Sequence, residues 1–167
     1  WTNLTPDHLE RHGSMKAYRA IKRGLIERSS IRIFNGDDPD LRLHRKSWDH
    51  GLWISAKGKG TKEFPIHLWI NDQGLIESRS GVLFKAATKG LLGEHSLQNL
   101  LLVVAAAIEI GIPAKAIETS LQTFTGLPHR LQKIGRIGII DVYNDSKATN
   151  FDAAKMGLIA IQAPAIV

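Results

Sequence analysis

From Leu97 to Ile112 the chain reads L-Q-N-L-L-L-V-V-A-A-A-I-E-I-G-I, apolar apart from Gln98, Asn99, Glu109 and Gly111. A helix that is apolar around nearly its whole circumference must be covered on most sides. The segment therefore predicts a helix at the centre of its domain, starting near His95 or Ser96 and stopping at Gly111. Its polar interruptions, and the lack of any uncharged apolar stretch of about 18 residues, argue against a membrane span. Pro113 then opens a further helix to about Phe124.

Strand-like segments supply the layer such a helix needs. Ile31 to Asn35, Leu52 to Ser55 and Ile66 to Ile70 are short apolar runs, with turn signals at Gly36-Asp37-Asp38-Pro39 and Asn71-Asp72-Gln73-Gly74. Leu75 to Ser78 and Val82 to Ala86 extend the series as a hairpin or meander around Gly81. Ahead of them two short helices are expected, the first with Thr5 as N-cap, Pro6 in the first turn and Gly13 as its stop. Ser14 caps the second, which runs to about Arg28. Beyond Gly126-Leu127-Pro128 the pattern becomes strand (Gly138 to Tyr143), loop, helix (Phe151 to Ile161) and an incipient strand at Ala165 to Val167. That is the beginning of a βαβ unit. The fold class is α/β, with a domain boundary near Thr125 that separates residues 1–125 from 126–167.

Composition narrows the function classes. The chain is 43% apolar and 23% charged, as in a soluble globular protein, and has no cysteine for a disulfide or a thiolate metal site. The net charge of +6 raises nucleic acid as a partner. The densest basic run, Arg42 to Lys46, has no interleaved aromatic residues and reads as a solvated face. The lack of cysteine fits a reducing cytoplasm, and the opening at Trp1 without a Met or a leader-like segment fits a fragment or a processed piece.

The residues that could carry chemistry lie in four places. Asn144 to Asn150, N-D-S-K-A-T-N, joins a strand end to a helix start, where ligands bind in open α/β sheets and free N–H groups meet anions. It is either a phosphate or carboxylate site or a polar turn in which Asn144, Asp145 or Ser146 caps the helix. Lys22 lies within an apolar stripe of Met15, Tyr18, Leu25 and Ile26. It either snorkels to water or is buried, and a buried neutral amine can react with carbon dioxide to give a carbamate ligand for Mg²⁺. His8 either shares that site or is a surface residue. Asn99 makes a structural hydrogen bond or a ligand contact, and Arg130 of G-L-P-H-R takes a phosphate or bridges two domains.

Together T-P-D-H-L-E-R-H-G (Thr5 to Gly13), Y-R-A-I-K (Tyr18 to Lys22), N-G-D-D-P (Asn35 to Pro39), G-E-H-S-L-Q-N (Gly93 to Asn99), G-L-P-H-R (Gly126 to Arg130) and N-D-S-K-A-T-N resemble the Mur ligases of peptidoglycan synthesis. The last motif resembles the D-glutamate-adding branch, and the opening W-T-N-L-T-P-D-H-L is similar to cyanobacterial members. The resemblance implies the later part of a central ATPase domain followed by the start of a Rossmann-like C-terminal domain. A G-K-[ST] phosphate loop and a nucleotide-sugar domain would lie upstream, and without them the chain alone would be inactive.

The implied reaction joins UDP-N-acetylmuramoyl-L-alanine to D-glutamate through an acyl phosphate made from ATP. The resemblance implies that His8 binds a second Mg²⁺ and that carbamylated Lys22 supports the same ion. Asn99 would contact adenine, Asp145 the ribose and Arg130 the ATP phosphates, while Lys147 and Thr149 face the acyl phosphate and the incoming glutamate. It further implies a cytoplasmic monomer with neither nucleic acid nor membrane as partner. Ser96 departs from the asparagine usual after this histidine. The rival readings are another ligase of the superfamily, such as a folylpolyglutamate synthase, or a noncatalytic basic module that binds nucleic acid.

Overall fold

A computed structural model describes residues 1–48, 50–86 and 91–167. Its main sheet has five strands in chain order: β1 (Ile33–Asn35), β2 (Leu52–Ser55), β3 (Leu68–Ile70), β4 (Leu75–Ser78) and β5 (Gly81–Lys85). The first three run parallel and the last two antiparallel, with a register shift between Ile76 and Glu77. Strand β2 explains the layering. Successive side chains of a strand point to opposite faces, so Trp53 packs with Phe34, Leu41, Trp48 and Ile66 on one side. Ile54 packs on the other with Leu68, Ile76, Leu101 and Val104. Both faces are covered, and for this reason the strand reads as a continuous apolar run.

Helices α4 (Glu94–Glu109) and α5 (Ala114–Thr123) cover the second face. On α4 the buried residues are Leu100, Leu101, Val104 and Ala105. Val103 is 61% exposed and Ile110 67%, so the helix is covered along one side and not encircled as its composition predicts. The reason is tertiary: part of its other side lines a cleft.

The amino-terminal helices also differ from expectation. Helix α1 spans only Leu9–His12, and His8 precedes it with a left-handed φ of 52°. Thr5 and Pro6 do not start a helix because Leu4 is buried and its N–H donates to Asp38 Oδ2 at 3.1 Å, which holds this segment against the sheet. Ser14 caps α2 (Met15–Glu27) as expected, accepting from the Ala17 N–H. Leu25 of the supposed apolar stripe is 63% exposed, while Ile26 packs against the aromatic layer. A short helix α3 (Pro39–Leu43), capped by Asp38, occupies the turn after β1, followed by a 3₁₀ turn at Arg45–Ser47.

After α5 comes a hairpin of β6 (Gln132–Ile137) and β7 (Ile140–Asn144), paired antiparallel and separate from the five-stranded sheet. Sequence patterning missed β6, whose residues are almost all exposed and lack an apolar face. Helix α6 (Phe151–Ile161) follows, and residues 165–167 are exposed coil and not a strand. Part of the expected Val82 to Ala86 strand is realised by β5. No helix among the described residues is long and apolar enough to cross a membrane.

Candidate functional site

A cleft of about 630 Å³ lies between the first turns of α4, the end of α5, the 126–131 segment, the loop after β7 and the start of α6. Its apolar wall includes Val103, Phe124, Leu127 and Met156, and its polar groups include His95, Asn99, Arg130, Asp145 and Lys147. Mostly apolar walls with a few convergent polar groups are the usual make-up of a site for a small organic ligand.

The loop after β7 is built by local hydrogen bonds. Asn144 Oδ1 accepts from the Ser146 N–H at 3.0 Å, and the Ala148 N–H donates to the Asp145 carbonyl at 2.9 Å. The residue that caps α6 is Asn150, whose Oδ1 accepts from the Ala153 N–H at 2.8 Å. Neither Asn144, Asp145 nor Ser146 caps the helix, contrary to the polar-turn reading, because the turn brings Asn150 to the helix start.

Asp145 organises the neighbouring segment. Its Oδ1 accepts from the Leu131 N–H at 2.9 Å, and the Lys147 N–H donates to the His129 carbonyl at 3.0 Å. His129 and Leu131 have φ of 63° and 42°, a region that costs a non-glycine residue about 1–2 kcal/mol. Surrounding bonds compensate, including a 3.0 Å contact between Asn144 Nδ2 and His129 Nδ1. Gly157 of α6 makes room: a Cβ there would lie 2.6 Å from Asp145 Oδ2. At the other side Gly93, with φ of 80°, meets α6 so closely that a Cβ would stand 2.5 Å from the Ala160 Cβ.

His95 was not singled out from sequence as a site residue, although it lies one helical turn before Asn99. Burial holds its imidazole below the ordinary value, Asp145 opposes that shift and Arg130 adds to it. Its Nδ1 is buried and receives no hydrogen bond from a described residue. Asn99 itself is exposed on the cleft wall and is not the buried amide that its apolar surroundings suggest. Arg130 is exposed and makes no ion pair with a described residue.

The structure thus brings Asn99, Arg130, Asp145 and Lys147 to one cleft. Thr149 is exposed but does not line it, nor do His8 and Lys22, although Asp7 and Tyr18 do. His8 lies 3.7 Å from Asp7 and 3.6 Å from Glu10, largely exposed. Lys22 is half-buried. Its Nζ donates to the Asn3 carbonyl at 3.2 Å and lies 4.9 Å from the centre of the Tyr18 ring. No group of three or more His, Asp or Glu side chains among the described residues is arranged to hold a metal by itself. Beside His8 stand two carboxylates, Asp7 and Glu10, all three at an accessible position.

The Mur ligase middle domain family matches residues 1–107. Over 167 residues, all of this chain, it is 61% identical to the UDP-N-acetylmuramoylalanine–D-glutamate ligase of Prochlorococcus marinus (strain MIT 9313), of which it spans 36%. The protein of the same name from Synechococcus sp. (strain CC9605) is 53% identical over the same length and again 36% covered. The chain therefore spans just over a third of the length of these relatives. Among solved structures, MurF from Acinetobacter baumannii superposes with a TM-score of 0.69 at 18% identity, covering 98% of this chain and 37% of that one, which shows the fold alone.

Proposed function

We propose that this chain, which belongs to the Mur ligase family, is part of an ATP-dependent ligase that adds D-glutamate to UDP-N-acetylmuramoyl-L-alanine. The observation that carries the reading is the meeting of Asn99, Arg130, Asp145 and Lys147 at one cleft, in a chain 61% identical throughout to a ligase of that name. Residues 1–125 would belong to the central ATPase domain and 126–167 to the start of a Rossmann-like domain, with the cleft between them. The whole protein would be a cytoplasmic monomer, with neither nucleic acid nor membrane as partner.

Each role follows from the chemistry of the side chain. Asn99 offers a donor and an acceptor to the edge of adenine, and the apolar wall beside it takes the flat faces of the base. The Asp145 carboxylate accepts from ribose hydroxyls through Oδ2, while Oδ1 stays on the Leu131 N–H. Arg130 presents a planar fork to phosphate oxygens. Lys147 neutralises negative charge on the acyl phosphate as the glutamate amine attacks, and Thr149 orients that amino acid.

ATP-dependence and a need for Mg²⁺ are general to the family. When bound, the ion would balance charge on the transferred phosphoryl group. His8 would be its imidazole ligand, and Lys22, carbamylated on Nζ, would offer oxygen atoms in support. Carbamylation needs Lys22 Nζ as the neutral amine, and the carbamate nitrogen keeps one N–H that can still donate to the Asn3 carbonyl, now at 3.2 Å and solvent-exposed.

The test uses the full-length protein. Phosphate release from ATP is expected only when UDP-N-acetylmuramoyl-L-alanine and D-glutamate are both present. Equal turnover with L-glutamate or meso-diaminopimelate would overturn the substrate assignment. Salt-sensitive binding to DNA by a protein inactive as a ligase would favour the basic module instead.

A further inference from the structure

Helix α4 shows three faces. Leu101 and Val104 enter the core, His95 and Asn99 line the cleft one turn apart, and Glu94 and Gln98, also one turn apart, meet residues at the carboxyl ends of β1 and β2, with Gln98 also reaching the edge of the cleft. The apolar face sets the rotation of the helix only coarsely, because burial is non-directional. Capping does not refine it. The N-cap is Gly93, which offers no side-chain bond to the first turn, and the close approach of Ala160 excludes a larger residue there.

Gln98 supplies directional contacts in place of a cap. Its Oε1 accepts from Asn35 Nδ2 at 3.1 Å, while its Nε2 donates to Asp37 Oδ2 at 3.3 Å and to Glu94 Oε1 at 2.9 Å. The groups it meets are themselves anchored. Asn35 is 3% exposed and also donates to the Thr2 carbonyl at 2.9 Å. Asp37 accepts from Ser55 Oγ at 2.5 Å and from the Ala56 N–H at 2.8 Å. Lys57 Nζ pairs with Glu94 at 3.2 Å. A fully satisfied network of this kind rigidifies its members.

We propose that Gln98 is a positioning residue for nucleotide binding: it fixes the rotation of the first turns of α4 so that Asn99 and His95 are held at the angle the cleft requires. The proposal rests on the nucleotide reading of that cleft. Side-chain atoms lie several ångströms outside a helix backbone of radius about 2.3 Å, so a rotation of about 15° displaces them by an ångström or more. Misplacement on that scale is enough to weaken a positioned contact severely.

The experiment compares Gln98→Met, which keeps the length of the side chain and removes all three hydrogen bonds, with the unsubstituted full-length protein. KM for ATP is expected to rise about 10-fold, with kcat within about 2-fold and KM for the nucleotide-sugar substrate unchanged. In an Asn99→Ala background Gln98→Met is expected to add a clearly smaller rise in KM for ATP, the part carried by His95 alone. An equal additional rise in that background, or a parallel rise in both KM values, would overturn the positioning role.

Amide hydrogen exchange over residues 98–101 is read in parallel and does not depend on activity. Faster exchange in Gln98→Met supports the anchoring, and unchanged exchange refutes it. Faster exchange in a protein whose unsubstituted form shows no ATP-dependent turnover would remove the nucleotide reading and with it the proposed purpose of the anchor.

Discussion

Replacing Gly157 by alanine should destabilise the protein, although the residue lies inside a helix where alanine is ordinarily the better choice. The helix preference of alanine over glycine is worth about 1 kcal/mol. Against this, the new Cβ would lie 2.6 Å from Asp145 Oδ2, where ordinary contact begins at 3.4 Å. The carboxylate must then retreat by most of an ångström, taking Oδ1 off the Leu131 N–H it now holds at 2.9 Å. A hydrogen bond to a charged group contributes about 1.5–3 kcal/mol, and Leu131, left with its φ of 42°, loses the contact that holds it there.

The net expectation is a loss of about 0.5–2 kcal/mol, or a fall in melting temperature of roughly 1–8 °C for a chain of this size. Urea unfolding followed by circular dichroism measures it. The control is the same substitution in an Asp145→Ala background, where the clash is absent and alanine should stabilise by up to about 1 kcal/mol. The effect thus changes sign with the identity of residue 145. Equal stabilisation in both backgrounds would refute the close packing of Asp145 against α6.

Four further outcomes are expected. Gly93→Ala should cost about 2–4 kcal/mol, because a φ of 80° and a Cβ 2.5 Å from that of Ala160 are both unfavourable; thermal unfolding reads it, and adding Ala160→Gly should recover only part. His67 accepts from the Trp53 N–H through Nδ1 at 3.1 Å, and its pKa lies below the ordinary 6.5 through burial, then Arg79 and Arg45. As the pH falls below that value the unfolded chain takes up a proton that the folded chain does not, so stability present above it is lost towards the folded pKa; His67→Gln should flatten this loss in urea midpoints. Asn150→Ala removes the cap of α6 and should cost about 1 kcal/mol by the same unfolding assay. Lys22→Arg keeps a cation beside Tyr18 but cannot form a carbamate; ligase assays of the full-length protein should find it inactive, and retained activity would refute carbamylation.

The strands of the main sheet were legible because each is short, apolar and bounded by turn residues, and Leu52–Ser55 and Leu75–Ser78 fall where the pattern puts them. Asp38 as a helix cap was less legible, since the same Gly-Asp-Asp-Pro run signals a simple turn. Strand β6 was hidden because its residues gain no burial that would impose an apolar alternation. Four proposed site residues converge on the cleft, whereas His8, Lys22 and Thr149 stand outside its wall. Motif order along a chain carries no information on which side chains share a wall.

By itself the sequence determined what is local: helix and strand periods, the cap at Ser14, the turn residues and the motifs that mark the Mur ligase family. These depend on interactions between residues a few positions apart. Only the tertiary structure decided that α4 is covered on one side, that Gly157 leaves space for Asp145, that Gln98 reaches Asn35 and Asp37, and that Asn150 and not Asp145 caps α6. Such outcomes depend on distances between segments far apart in the chain, where a difference of an ångström separates a contact from a clash.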